Sequence, residues 1–208
     1  MGLISNGTTL LDAGALDSGV ATGAMTLIKT LTASSSGTLS FVDGSSSVVL
    51  DNTYKEYVFT FKNIHPSNDN KDFSFQASID SGSNYNVTTT NTLFHAFHYE
   101  NDSGTPYVAY DTSRDLAQSS SFSVLIDSVG TDNDQNASGY LHLFNPSSTT
   151  FVKHFMSNAV TNTQNDGAIN CFAAGYFNTT SAIDAVQFKF SANNIDAGTI
   201  KLYGIKDS

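Results

Sequence analysis

From Met25 onward, apolar and polar side chains alternate with a period of two, the spacing of half-buried β-strands. Leu27, Thr30 and Leu31 open a first strand, and Leu39 and Phe41 follow across the break Ala33-Ser34-Ser35-Ser36-Gly37. Tyr57, Phe59 and Phe61 then alternate with Val58, Thr60 and Lys62, which puts the aromatic rings on one face. The proline and turn formers of His65-Pro66-Ser67-Asn68-Asp69-Asn70 predict a loop, after which Phe73, Phe75, Ala77 and Ile79 alternate again. Further strands are predicted at 93–99, 122–126, 140–144, 151–156, 169–177, 186–190 and 199–205. No window keeps a helical period for three turns; Arg114 to Gln118 and Ser181 to Ala185 are each one turn at most.

About eleven or twelve short strands, separated by turn clusters, give the rhythm of an all-β fold. The expected architecture is a two-sheet antiparallel β-sandwich, jelly-roll-like, with a closed ten-stranded barrel as the competitor. Along the last two strands, Val186, Phe188 and Phe190 share one face and Gln187 and Lys189 the other. Ile200 and Leu202 of the expected partner strand point inward, with Lys201 and Tyr203 outward. Residues 1 to 24 differ: isolated leucines among glycine, alanine and serine predict an extended N-terminal arm, leaving 25–208 as the single sandwich domain.

Composition narrows the function. The 208 residues carry 9 basic and 19 acidic side chains, a formal charge of −10. Nucleic-acid backbones demand clustered Lys and Arg, and the single arginine, Arg114, and eight lysines are scattered. Serine, threonine, asparagine and glycine make up roughly 40% of the chain, which suits turn chemistry and solubility more than catalysis. With 15 Phe and 9 Tyr the chain still has the material for a sizeable core. No apolar run approaches a membrane span, and the amino terminus lacks the basic region and apolar core of a secretory signal. Cys171, the one cysteine, sits in the apolar run 169–177, where a buried inert thiol is expected.

Candidate chemistry is sparse. His95 and His98, three apart in a strand, point to opposite faces and cannot share an ion without a bulge. His142 and His154 fall on neighbouring strands and can face each other, but no third ligand is evident. Asp132-Asn133-Asp134-Gln135-Asn136 opens like an EF-hand loop and then fails, with Ala137 at the glycine position and Leu143 at that of the bidentate glutamate. An oxygen-lined turn that takes calcium weakly is the alternative there. There is no Gly-X-Ser-X-Gly elbow and no phosphate loop, and nothing in the sequence aims either glutamate, Glu56 or Glu100, at a partner. Neither catalytic residues nor cofactor or metal ligands are therefore assigned. Tyr85, Tyr99, Tyr107, Tyr110 and Tyr140, flanked by polar loops, are candidates for stacking on sugar rings, although the chain has no tryptophan.

Several segments resemble small virion structural proteins of marine tailed bacteriophages, of the tail-fibre-like or capsid-decoration kind. They are Gly2-Leu3-Ile4-Ser5-Asn6-Gly7-Thr8-Thr9, the run 27–36, Tyr140-Leu141-His142-Leu143-Phe144-Asn145-Pro146, and the closing stretches 183–190 and 198–204. The resemblance implies a non-enzymatic virion surface protein, assembled in the host bacterial cytoplasm. Its expected partners are other capsid or tail proteins and further copies of itself, as a homo-oligomer for which a trimer is the leading arrangement. Neither nucleic acid nor a membrane is an expected partner, and no cofactor is implied. The rival from another class is a carbohydrate-binding module or adhesin that recognises host glycans.

Overall fold

The computed structural model describes residues 23–206 in full, together with the backbone of residues 3–5, 8–12 and 15–16. Half of the expected arm, 1–24, lies outside the described residues. Its described parts, β1 (Leu3–Ser5), β2 (Thr8–Asp12) and β3 (Ala15–Leu16), pair antiparallel with one another in a small sheet of their own.

The remaining strands form two antiparallel sheets. The larger contains β4 (Met25–Thr32), β6 (Glu56–Pro66), β8 (Thr89–Tyr99), β9 (Tyr107–Tyr110), β10 (Leu116–Ser119), β12 (Ala137–Phe144), β13 (Lys153–Asn162), β14 (Gly167–Phe177) and β16 (Ile195–Ile205). The smaller contains β5 (Leu39–Val42), β7 (Lys71–Ser78), β11 (Ser123–Val129) and β15 (Ala185–Phe190). The large sheet is ordered β10-β8-β14-β13-β12-β6-β16-β4, with β9 on β8, and the small sheet β11-β7-β15-β5. These thirteen strands make an open sandwich, so the closed barrel is set aside.

The connectivity is that of a jelly roll. The chain hops between sheets at each step from β4 to β8, again from β11 to β12, and again from β15 to β16. The strand orders β4-β16-β6-β12 and β5-β15-β7-β11 form its two four-stranded halves. Two insertions enlarge one half. β8 to β10 lie between β7 and β11 in sequence, β13 and β14 between β12 and β15, and β14 pairs with β8 to carry the large sheet well beyond β12.

The alternation read from the sequence fills the space between the sheets. Tyr57, Phe59 and Phe61 of β6 are buried, as are Phe73 and Phe75 of β7 and Phe188 and Phe190 of β15. Phe188 is the centre of this cluster, with ring centroids 5.2 Å from Phe59, 5.4 Å from Phe61 and 5.9 Å from Phe73. Burying each such ring contributes about 1.5–3 kcal/mol relative to exposure. Gly198 belongs to the irregular pairing of β16 with β6, at φ +119°, and a Cβ there would come within 2.6 Å of the Asn63 carbonyl. A bulge with this backbone requires glycine.

Four expectations need correction. β15 and β16 are not partners: β15 pairs with β5 and β7, β16 with β4 and β6, so their apolar faces meet across the core instead. Ile79 does not continue the alternation of Phe73, Phe75 and Ala77: β7 ends at Ser78 and Ile79 is exposed. His65 and Pro66 extend β6, and the loop begins at Ser67. Phe151 is exposed ahead of β13, which starts at Lys153.

Candidate functional site

Two features of the enlarged sheet are unusual for a sandwich surface. The first is its outer face. Register places Tyr140, Asn158, Phe172, Phe94 and Tyr110 on one rung across β12, β13, β14, β8 and β9. The next rung on one side reads Ser138, Val160, Asn170, Ala96 and Val108, and on the other His142, Met156, Ala174 and Thr92. None of these positions is Asp, Glu, Lys or Arg. Phe94 and Phe172 stack in parallel at 4.9 Å. Met156 is 58% exposed, Val160 51% and Val108 72%, so the face presents contiguous apolar surface to solvent.

The second feature is a polar crevice where the small sheet ends. β11 is the last strand of that sheet, and β8 lies beyond it across a gap, with Leu93, His95 and Phe97 of its inner face buried. Into the gap the turn after β9 sends Arg114. Its Nε donates to Asp72 Oδ2 at 3.1 Å and its Nη1 to Asp111 Oδ2 at 2.9 Å, and Nη2 forms an ion pair with Asp127 Oδ1 at 2.7 Å. Burial alone would lower the arginine's pKa, but the bond and charge of Asp72, with the charges of Asp127 and Asp111, raise it above its ordinary value. Burial pushes the Asp127 carboxyl upward against the opposing effects of Ser128 and Arg114. For Asp111 burial also works upward, yet Ser113 and then Arg114 outweigh it and leave the carboxyl below the usual range.

A strained backbone serves this network. Ser128, at φ 54°, interrupts the ladder of β11 and turns its amide to donate to Asp72 Oδ1 at 3.1 Å. His95 projects from the inner face of β8 towards the same carboxylates. One ligand-capable atom from each of His95, Asp111 and Asp127 lies within 4.8 Å of the others. The crevice opens into a cleft of about 410 Å³ whose walls include Tyr107, Phe97 and Gln164. Cys171 closes the floor: fully buried, its Sγ accepts the Asp127 amide at 3.4 Å, and burial pushes its thiol up to about 12. That is an inert thiol.

The other sequence candidates are dispersed. His98 faces away from His95, as their spacing requires, and lies 3.3 Å from Asp102. His142 and His154 are not cross-strand partners: His142 pairs with Met156 in register and bonds through its ring to Glu56, while His154 sits opposite Tyr176. In the 132–136 turn, Gln135 is buried and donates to the Thr163 carbonyl at 2.9 Å. Asp132 and Asp134 belong to no cluster of three acidic, histidine or cysteine ligands among the described residues. Of the five candidate tyrosines, Tyr110 and Tyr140 occupy the two ends of the outer rung, Tyr107 and the half-buried Tyr99 line the cleft, and Tyr85 is half-buried elsewhere. The Arg114 network escaped sequence reasoning because its carboxylates are scattered from residue 72 to residue 127. The one available signal was a solitary arginine in an acidic chain.

No protein-family model, curated protein or solved structure matches the chain. Function has to be argued from the fold and these two surfaces.

Proposed function

We propose that this chain is a non-enzymatic structural protein of a bacteriophage virion surface, a capsid-decoration or tail-fibre-like subunit that works as a homo-oligomer. The observation that carries the reading is the uncharged outer face of the enlarged sheet. Copies with a charge of −10 repel one another, so a stable contact has to form where neither copy presents carboxylates. From β13 to β9 the three outer rungs are such a place, the Glu56 carboxylate being held by His142 at their β12 end, and their exposed Phe, Tyr, Met and Val side chains supply apolar area to bury. The jelly roll is an architecture of viral capsid domains and of lectins, which is support by analogy only. Other virion proteins would take the remaining surface, and assembly in the host cytoplasm suits a chain with one buried thiol.

Sedimentation of the pure protein tests the contact. The expected result is an oligomer, with a trimer as the leading case, that Phe172→Asp combined with Met156→Asp converts to a folded monomer. A wild-type chain that stays monomeric at high concentration overturns it. Imaging particles labelled at the carboxyl terminus then places the subunit on head or tail, and absence of label from particles refutes the virion assignment.

One observation favours a second reading, a glycan-binding module. Tyr140, His142, Met156, Asn158 and Phe172 line a shallow depression of about 340 Å³ on the same face, joining aromatic platforms to amide groups. Saturable glycan binding by the monomeric protein, lost in Tyr140→Ala, would select it over self-association.

A further inference from the structure

We propose that His95, Asp111 and Asp127 form a binding site for one divalent transition-metal cation of the zinc or cobalt type, clamping the edge of the small sheet to the inserted strands. The site is independent of the virion reading and would persist in a protein of any role.

Three observations converge on it. The ligand-capable atoms of the three residues lie within 4.8 Å of one another. His95 is only 8% exposed, and its Nδ1 is buried without a hydrogen-bond partner. Buried polar atoms are nearly always satisfied, so an orphaned imidazole nitrogen in a ring whose ligand atom already lies close to two carboxylates marks a missing partner. Charge supplies the third. Asp72, Asp111 and Asp127 bring three negative charges to the crevice and Arg114 one positive, so the group is two charges short of neutrality, which a divalent cation provides.

The donor set defines the class of metal. One imidazole nitrogen with two carboxylate oxygens is a borderline set, suited to zinc and its neighbours in the first transition row more than to calcium, which prefers six to eight oxygens. Bonds of about 2.0–2.2 Å in a tetrahedron put ligand atoms about 3.3–3.6 Å apart. The three groups therefore close inward by roughly an ångström on binding. Asp111 begins the turn that joins β9 to β10, where such a shift is easy, and the cleft leaves room for a water as fourth ligand. Arg114 acts as a positioning residue, holding one oxygen of each aspartate at 2.9 Å and 2.7 Å.

Calorimetric titration of the full chain with zinc and with cobalt tests the site, with magnesium and calcium as comparisons. One equivalent of zinc or cobalt should bind, with a rise in melting temperature and, for cobalt, visible absorption bands of a low-coordinate site. His95→Gln and Asp111→Asn should each weaken binding by about tenfold or more, while His142→Gln and His154→Gln leave it unchanged. Apo-protein melts of each variant verify folding, and the aspartate variant serves if the histidine variant does not fold. No binding, binding equally strong for calcium, or zinc binding that survives His95→Gln and Asp111→Asn in folded protein would overturn the proposal.

Discussion

Truncating Phe188 to alanine probes the centre of the sandwich. The ring is fully buried and lies within 6.2 Å, centroid to centroid, of Phe41, Phe59, Phe61, Phe73 and Phe75, which come from both sheets. Its removal loses the transfer free energy of the ring and leaves a cavity, a combination that costs about 3–5 kcal/mol in packed cores. Because strands from opposite layers frame the void, neither sheet can collapse into it without moving as a body, so the upper half of that range is expected. At about 2–4 °C per kcal/mol for a chain of this size, the melting temperature should fall by about 8–20 °C. The neighbouring Lys189→Ala is the control. Its Nζ sits 4.0 Å above the Phe122 ring on the opposite face, a contact worth about 0.5–1 kcal/mol. Paired thermal and denaturant melts measure both. If the lysine variant proves as damaging as the phenylalanine variant, the ring is not the keystone of the core and the account of packing fails.

Two further outcomes follow from charges in unusual places. Lys153 is fully buried with its Nζ on the Thr179 carbonyl at 3.0 Å, and burial lowers its pKa from 10.5. The unfolded chain therefore binds more protons just below pH 10.5, so stability should rise with pH as 10.5 is approached; Lys153→Met should abolish that rise and melt at the same or a higher temperature, and a large loss of stability in the variant would refute it. Asp80 accepts bonds from the Asn84 side chain and then the Ser78 hydroxyl, which lower its pKa to about 2 from 3.8. Its contribution is present above pH 3.8 and lost as pH falls towards 2, so Asp80→Asn should flatten that part of the acid unfolding curve, and an unchanged curve would refute the assignment.

The legible parts of the fold are those where one face of a strand is buried. In β6 and β15 the aromatic alternation is visible in the residues themselves, and Tyr57, Phe59, Phe61, Phe188 and Phe190 all lie in the core. β9 and β10 were not visible because neither buries a face: the side chains of Tyr107, Val108 and Tyr110 stay exposed, and no residue of Leu116 to Ser119 is buried. Such strands are held by their neighbour's backbone, which leaves no hydrophobic period to read. Alternation is equally silent on which strand lies beside which, hence the mistaken pairing of β15 with β16. Lys153 shows a further limit: it shares the inward phase of Phe155 and Ala159, yet a lysine there looks like a strand end until the Thr179 carbonyl is seen to receive it. For the polar crevice, the spacing of His95 and His98 revealed that the two diverge. Asp111 follows His95 through the β8–β9 pairing, but that His95 meets Asp127 depends on β14 holding β8 beside β11, a relation between distant segments.

The inserted strands also explain why the two candidate surfaces occur together. Beyond β11 the small sheet no longer covers the large one; Leu93, Ala173 and Phe177 of β8 and β14 still reach the main core, but the rest of the inner face there buries the small cluster of Phe97, Ile169 and Cys171, with Tyr99 packed against it, beside the polar Asn91 and His95. A sheet covered on one side by so little apolar material and on the other by solvent gains little from burial, whereas every ordered residue in it costs conformational entropy of about 1–2 kcal/mol. Something else has to hold β8, β9 and β10 in place. On the inner side Arg114 ties the turn after β9 to β7 through Asp72 and to β11 through Asp127, and a cation on His95, Asp111 and Asp127 would tighten the same seam. On the outer side, the contact of a second copy against Phe94, Phe172 and Val108 would supply the missing layer. The two devices act on the same strands, so metal binding and self-association should reinforce one another, because each lowers the entropic cost that the other has left to meet.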